Sequence, residues 1–582
     1  MRKTKIVCTL GLVSQTADVI GQLMDAGMNV ARFNFSHGTH ESHKKMLDIV
    51  KKLRKKKNIP VAALLDTKGP EIRLGLFKDG KALLTAGSIF TLYPNEREGD
   101  STGASISFPG LADDLEPGNT ILLDDGLIEL RVKSIENGVI ACEVINGGEI
   151  SNRKGVNIPG VSTSLPYISD RDREDILFGI EQDFDFVAAS FVRSAADVIE
   201  LRELLGANGG KSIRIISKIE NADGVQNIDE ILRASDGIMV ARGDMGVEIP
   251  FEELPPLQKM LIEKAYKAGK MVITATQMLE SMIKNPRPTR AEVTDVANAV
   301  YDGTSAIMLS GETAAGLYPV KAVEAMARVA EKAENDINYL KRFHNTESGL
   351  DNTNVTNAIS HATCTTAYDL SAAAIIAVTL SGRSARNVSK FRPDIPIIGC
   401  TTSEKAYRQM VLSWGVTPVM IPMQEDLNEL FNLAVGSAME QGYVKDGDLV
   451  VITTGVPLGV AGTTNLLKVH IAGNVLVNGH GIGDLKVRGR LCVVKSEEEA
   501  LEKFHDGDIL VIPHTTNALL SILKRASGIV CEEDGTQSHA AIVGLTLDIP
   551  VLVGAANATN VLKTGTFVLL DAQRGVVCSA SY

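Results

Sequence analysis

Charged and hydroxylated residues recur in this chain at one kind of place, the end of a short apolar run. Ile213-Arg-Ile-Ile-Ser-Lys218-Ile-Glu220-Asn221 closes on a lysine and a glutamate, and Gly237-Ile-Met-Val-Ala-Arg-Gly-Asp244-Met-Gly246 closes on an aspartate. Other runs end on Arg32, Asn34 and Ser36, on Asp66 and Thr67, on Thr276 and Gln277, and on Ser310, Gly311 and Glu312. One polar strand end is an ordinary cap. Repeated on one face, such ends make an active-site rim, because barrel enzymes assemble their chemistry at the C-terminal ends of their strands. The oxygen-rich set suits hard cations, and the Arg and Lys suit a phosphorylated ligand.

The elements that must position these residues alternate. Lys3–Thr9, Asn29–Phe35 and Val61–Leu65 are expected as strands, with helices over Thr16–Ala26 and His40–Lys56. This βαβα order implies a parallel sheet. From Gly69-Pro70 to about Leu165 the chain has short β-type runs, frequent Gly and Pro, and no amphipathic helix. It reads as a small β domain, with a hairpin around Asp125-Gly126. Strands are then expected at Phe184–Phe191, Ile213–Ser217, Gly237–Ala241, Met271–Ala275 and Ala306–Leu309. Three before the insertion and five after give the eight strands of a closed (β/α)8 barrel, the TIM-barrel class.

Further strands are expected at Ala374–Thr379, Pro396–Cys400, Val416–Ile421 and Leu449–Thr453, with helices between, and Gly473–Gly483 reads as a linker. The expected domains are therefore 1–69 with 166–340 (catalytic barrel), 70–165 (inserted β-barrel lid), 341–473 (α/β domain) and 474–582 (a further domain).

Composition narrows the function. The chain has 582 residues, 44% of them hydrophobic and 22% charged, which is ordinary for a globular protein. A net charge of −12, one Trp and 4% aromatics argue against nucleic-acid binding, which needs basic surface and stacking platforms. Seven dispersed cysteines without a C-x-x-C pair fit reduced thiols in a cytoplasmic protein. No uninterrupted apolar stretch reaches the ~18 residues of a membrane span, and the apolar N-terminal run lacks a cleavage site and reads as a strand. Three motifs are decoys. Gly206-Ala-Asn-Gly-Gly-Lys211-Ser212 is one residue short of a phosphate loop and precedes a strand. His37, His40 and His43 lack standard metal-ligand spacing, and Lys51–Lys57 meets the negative end of a helix.

The rim residues carry a resemblance. AxxNFSHG, LLDTKGPEIR, SKIEN, ARGDMGVE, TATQMLESM, NPRPTRAE and DVANAVYDGTSAIMLSGETAAG together resemble pyruvate kinase over residues 1 to about 473. The resemblance implies phosphoryl transfer from phosphoenolpyruvate to ADP, in a cytoplasmic homotetramer. It implies that Glu220 and Asp244 hold Mg2+ or Mn2+, and that Lys218 faces the phosphoryl group in flight and the enolate oxygen. Asn34, Ser36, Asp66 and Thr67 resemble the potassium site, and Glu71 stands where potassium-dependent members carry Glu. Arg32, Arg73 and Lys154 match residues that grip phosphates. The segment from Gly243 to Gly246 matches a helix start that binds the substrate carboxylate, and Thr276 matches a residue on the face where the enolate is protonated. The Gly11-Leu12-Val13-Ser14 loop and Ser42 depart from the family pattern near the nucleotide.

Thr379-Leu-Ser381-Gly382-Arg383-Ser384 joins an expected strand to a helix. Gly and hydroxyls at such a junction suit a phosphate, and the resemblance implies an allosteric effector loop for AMP or a sugar phosphate. Val456, where fructose-1,6-bisphosphate-responsive members often carry Trp, weakens that sugar phosphate. Glu532-Glu-Asp-Gly-Thr-Gln-Ser-His539 and Asp548-Ile-Pro-Val-Leu-Val-Gly554 resemble the phosphohistidine domain of phosphoenolpyruvate-utilising enzymes, with Asp534 and Gln537 altered. A structural or regulatory appendage is the expected role. The alternatives are another enolpyruvate barrel enzyme, against which Arg73 and Lys154 speak, and a non-catalytic effector-binding relative, against which the intact Lys218, Glu220, Asp244 and Thr276 speak.

Overall fold

The computed structural model describes residues 2–347, 354–457, 464–473 and 475–579. Position 474, where the last domain is expected to begin, and the final three residues of that domain lie outside the described residues. The chain forms two compact units. The first comprises 1–361, 379–420 and 459–464, and the second 362–378, 421–458 and 465–582.

The first unit is built on a closed barrel of eight parallel strands. They are β1 (Lys5–Thr9), β2 (Val30–Asn34), β3 (Ala62–Asp66), β4 (Phe186–Ala189), β5 (Arg214–Ile219), β6 (Gly237–Ala241), β7 (Met271–Ala275) and β8 (Ala306–Leu309). Each pairs in parallel with its sequence neighbours, and β8 closes on β1. Alternation along each strand sorts the side chains. Val30, Ala62, Leu64, Phe186, Ala188, Ile216, Met239 and Ile273 fill the barrel interior, capped by Val411 and Leu412. Ala31, Phe33, Ala63, Leu65, Val187 and Ile215 pack outward on the helices. Two residues further along the inward register come Arg32 and Asn34, Asp66, Ser190, and Lys218 and Glu220. The same periodicity that builds an apolar floor therefore delivers the polar rim.

Between β3 and β4 lies a seven-stranded sheet around its own core, with Phe90, Leu92, Ile121, Leu130 and Ile140 fully buried. Its hairpin joins Thr120–Leu123 to Ile128–Glu136. The turn carries positive φ at Asp124, Asp125 and Gly126, which Asp and Gly tolerate at low cost. Arg193, beyond β4, donates from Nη1 to the carbonyls of Thr163 (2.9 Å) and Leu165 (3.0 Å), fixing the irregular segment that returns from this domain.

The foot of the barrel is closed by residues of the 379–420 segment. Arg408 donates from Nε to Asp185 (2.8 Å) and from Nη2 to Asp183 (2.7 Å), and Gln409 donates to the carbonyls of Asp185 and Ser212.

In the second unit Ala374–Val378 pairs in parallel with Leu449–Thr454, which pairs antiparallel with Leu466–Ile471. An eight-stranded sheet follows, with a parallel centre of Lys486–Val493, Ile509–Ile512, Gly528–Cys531 and Val551–Val553. The linker expected at Gly473–Gly483 is not one. Val475–Asn478 pairs with Val576–Ser579, and His480–Ile482 with Val551–Val553. Its glycines serve close approach, since a Cβ on Gly481 would overlap the Ala572 carbonyl and one on Gly479 the Val553 carbonyl.

Candidate active site

Lys218 is the last inward residue of β5 and is 9% exposed. Its Nζ donates to Ser190 Oγ at 2.7 Å and lies 2.9 Å from Glu220 Oε1 and 3.2 Å from Asp66 Oδ1. Burial favours the neutral amine, but Asp66 and Glu220 outweigh it and hold the ammonium above its ordinary range. Asp66 also accepts from Arg32 Nε at 2.7 Å, while Arg32 Nη1 donates to Thr9 Oγ1 at 2.8 Å. Despite full burial, Arg32 and Lys218 keep Asp66 below the usual carboxylate range.

Glu220 is completely buried. Its Oε2 accepts from the Phe191 N–H at 2.7 Å, whereas Oε1 receives no hydrogen bond of good geometry, with the Lys218 ammonium 2.9 Å away. Burial pushes this carboxyl up to about 7, against the pull of Lys218 and with the push of Asp244. A buried acid with one bare oxygen, facing a second carboxylate, fits a divalent cation. Among the described residues no three His, Cys, Asp or Glu side chains converge on one point. A cation here would thus lean on Glu220, Asp244 and substrate oxygens, which suits Mg2+ better than a metal needing a full protein cage.

A cavity of about 440 Å3 opens over this cluster, lined by Arg32, Asn34, Ser36, Glu71, Arg73, Ser190, Lys218, Glu220 and Asp244. A second of about 300 Å3 shares Glu71, Arg73, Phe191 and Asp244 and adds Asp124, Lys154 and Glu248 from the lid side and rim. Arg73 is paired with Glu71 at 2.7 Å and Lys154 with Asp124 at 2.7 Å. Of the four oxygens expected to hold potassium, those of Asn34 and Ser36 line the cavity. Asp66 and Thr67 are buried behind it, Asp66 against Arg32 and Lys218, Thr67 accepting the Ser190 N–H at 3.1 Å.

The rim of β6 and β7 is held in strain. Thr276 has φ +68° and Gln277 φ +53°. A β-branched residue in that region is an outlier costing about 1–3 kcal/mol, tolerated where surrounding bonds over-determine it. Those bonds are present. Arg242 Nη2 donates to the Thr276 carbonyl at 2.6 Å and its Nη1 pairs with Asp295 at 2.7 Å. Thr276 Oγ1 donates to the Ala275 carbonyl at 2.6 Å and accepts the Gly243 N–H at 2.8 Å. Gly243 and Asp244 sit in the first turn of a seven-residue helix, Arg242–Glu248, and the Gly243 N–H is thus already engaged. Glu312, past the end of β8, is buried at the rim, accepting the N–H groups of Leu279 (3.0 Å) and Ser310 (2.7 Å) and tying the segment after β7 to β8.

Ser190 and Phe191 escaped the sequence reading. The expected strand ran through Phe191, so both counted as strand interior. β4 stops at Ala189, and Phe191 turns the chain with φ +53°. Ser190 then orients Lys218 while donating to the Thr67 carbonyl at 2.7 Å. The signal was a serine on the inward register after Phe186 and Ala188.

The three motifs set aside in the sequence take the following places. Residues 208–213 join the helix Ala195–Ala207 to β5, and Lys51–Lys57 ends the helix His40–Lys57. His40 Nε2 is 2.6 Å from Asp175, and His43 bonds the His37 carbonyl. In the 379–384 loop, Gly382 takes φ +76° at the start of the helix Arg383–Ser389, which no side chain caps. Ser384 Oγ lies 2.8 Å from Thr464 Oγ1, and the Ser381 carbonyl accepts from Arg214 (3.3 Å) and Arg386 (3.4 Å). Arg383 is exposed. In the second unit, His539 begins the helix His539–Leu547, with Nδ1 2.9 Å from Thr515 Oγ1 and Nε2 3.0 Å from Asn517 Oδ1.

Comparison with known proteins agrees with this arrangement. Residues 1–323 match the pyruvate kinase barrel domain, 357–470 the pyruvate kinase alpha/beta domain, and 504–575 the mobile domain of PEP-utilising enzymes. The chain is 49% identical over 579 residues to a pyruvate kinase of Sporosarcina psychrophila, covering 99% of each. It is 50% identical over 578 residues to that of Geobacillus stearothermophilus, covering 99% of this chain and 98% of the relative. The crystal structure of a pyruvate kinase from Cryptosporidium parvum superposes with a TM-score of 0.78 at 41% identity, over 81% of this chain and 96% of that one. An eight-stranded barrel with an inserted sheet, a lysine–carboxylate rim and full-length relatives together place this chain in the pyruvate kinase family.

Proposed function

We propose that this chain transfers the phosphoryl group of phosphoenolpyruvate to ADP, giving pyruvate and ATP, as the last step of glycolysis. The observation that carries this reading is the buried Lys218 ammonium, held by Asp66, Glu220 and Ser190 beneath a cavity walled by Arg32, Arg73 and Asp244. Phosphoryl transfer needs positioning and charge neutralisation more than covalent chemistry. Lys218 supplies a fixed positive charge to the phosphoryl oxygens and to the enolate oxygen they leave. Arg32, anchored by Asp66 and Thr9, adds a second. Glu220 and Asp244 would hold the divalent cation, which when bound neutralises substrate oxygens. Thr276 Oγ1, held between Gly243 and Ala275, stands on the face where the enolate takes up its proton, through water. A coupled assay for pyruvate from phosphoenolpyruvate and ADP tests the reading, and a purified, folded chain without turnover would end it.

The lid contributes the nucleotide grip through Arg73 and Lys154. Each pairs with a carboxylate, Glu71 or Asp124, which a diphosphate replaces. Lys154→Met should raise KM for ADP by roughly 10–100-fold, the value of one charge-assisted hydrogen bond, with kcat much less changed. An unchanged KM would remove Lys154 from the nucleotide site.

Asn34, Ser36, Asp66 and Thr67 are proposed to hold K+, with Glu71 completing the charge balance. Replacing K+ by tetramethylammonium should lower kcat by about tenfold or more, the cost of losing one preorganised charge. Glu71→Lys should make activity less dependent on K+. Equal rates in the two salts would refute the assignment.

The remaining expectations are proposals on the same footing. The domain limits are 1–69 with 166–340, 70–165, 341–473 and 474–582. Thr379, Ser381, Gly382, Arg383 and Ser384 receive the phosphate of AMP or a sugar phosphate, and the assembly is a homotetramer in the cytoplasm. No helix among the described residues is long and apolar enough to cross a membrane.

A further inference from the structure

The foot of the barrel holds a polar cluster that the phosphotransfer reading does not use. A cavity of about 10 Å3, room for one atom-sized guest, is lined by Lys270, Arg386, Lys390, Arg392, Ser413 and Trp414, among others. Among the described residues that line it, four are cations and none is a carboxylate. Arg392 is 4% exposed and Ser413 2% exposed. Both carry buried polar atoms with no hydrogen-bond partner, Arg392 Nε and Ser413 Oγ.

Among the described residues, the groups that Arg392 contacts are carbonyl and hydroxyl oxygens and aromatic rings. Its Nη2 donates to the Gly303 carbonyl (2.9 Å) and Ser305 Oγ (3.2 Å), and its guanidinium lies 4.8 Å from the Trp414 ring centroid. Lys270 donates to the Ser235 carbonyl (2.6 Å) and Lys390 to Asn357 Oδ1 (2.7 Å). Asp236, the carboxylate that acts on Arg386, is itself paired with Arg202 and Arg214, each at 3.0 Å. Burial, then the charge of Arg342, holds the Arg392 guanidinium down to about 9, as expected for a cation left without a counter-charge. An unpaired buried charge and two orphaned polar atoms are each costly, and one guest can relieve all of them.

We propose that this cavity is a binding site for one small inorganic anion of the halide class, held by Arg392 and Ser413 as the buried counter-ion of the Arg392 guanidinium. A water molecule would satisfy the two orphaned atoms but leave the charge uncompensated, and that difference is measurable. Crystals of the full chain grown without halide and soaked in sodium bromide should show an anomalous peak beside Arg392 Nε and Ser413 Oγ. At equal sodium concentration, Tm in chloride should exceed that in gluconate, an anion too large for the cavity, by about 2 °C. A cavity without bromide overturns the site, whatever Tm does. A bromide peak with equal Tm in chloride and gluconate marks an adventitious ion only and overturns the counter-ion role.

Discussion

Lys218→Met should lower kcat by roughly 10³-fold or more, the scale of removing a preorganised charge aimed at developing negative charge. Methionine keeps the length and apolar stem of the lysine, so the packing of β5 against Met239 on β6 survives. What disappears is the ammonium between Asp66 and Glu220, 3.2 and 2.9 Å away. The rate should fall at saturating phosphoenolpyruvate and ADP, because the lost interaction strengthens as the phosphoryl group leaves its oxygen. Removing one partner of a buried ionic cluster also costs about 3–5 kcal/mol, so the variant should melt earlier. Circular dichroism at the assay temperature separates the two effects. A folded Lys218→Met protein with near-normal turnover would exclude the proposed role of this lysine.

Glu220→Gln has the second large effect, on the divalent cation. The amide keeps an oxygen for the Phe191 N–H but loses the negative charge, and Mn2+ binding should weaken by about 10²-fold or more, the loss of a directly ligating carboxylate being at least that of an outer-shell partner. Proton linkage gives a second readout. Burial raises the Glu220 carboxyl from 4.5 to about 7 in the folded chain. Between those pH values the native state keeps a proton that the unfolded chain has lost, so the metal-free protein loses stability as pH rises through that window. Metal binding requires the carboxylate, so Mn2+ affinity should rise about tenfold per pH unit below about 7 and level off above it. In Glu220→Gln that slope should vanish. A titration of the wild type showing no pH dependence between 5.5 and 7, set as the measured range by the ~7 midpoint, would remove Glu220 as a ligand.

Thr276 and Arg242 show how the rim keeps its shape without substrate. The positive φ at Thr276 is offset by three hydrogen bonds around this residue, two of them from Arg242 and Gly243 at the end of the preceding strand, β6, and one from the Thr276 hydroxyl to the Ala275 carbonyl. A site that depends on such strain is set by its surroundings, and the sequence of Ala275-Thr276-Gln277 alone does not announce it.

Local pattern was enough for the larger architecture. Alternating apolar runs and amphipathic helices specify eight parallel strands, and the inward register of Val30-x-Arg32-x-Asn34 and Ile216-x-Lys218-x-Glu220 already points those side chains at one rim. The identities of Lys218, Glu220, Asp244 and Arg32 as site residues were legible for that reason, since a period of two is a property of neighbouring residues. The partners were not legible. Ser190 sits 28 positions from Lys218 and Arg32 sits 34 from Asp66, distances along the chain that only barrel closure brings to hydrogen-bond range. Strand ends were blurred for the same reason, because whether β4 stops at Ala189 or Phe191 depends on Glu220 accepting the Phe191 N–H from another strand. The glycines of 473–483 misled because a missing Cβ permits either a flexible linker or a tight strand approach. Only the backbone lying against Gly479 and Gly481 decided between them. The composition of each segment fixed what it could become, and the long-range contacts, which no local pattern encodes, chose among those possibilities.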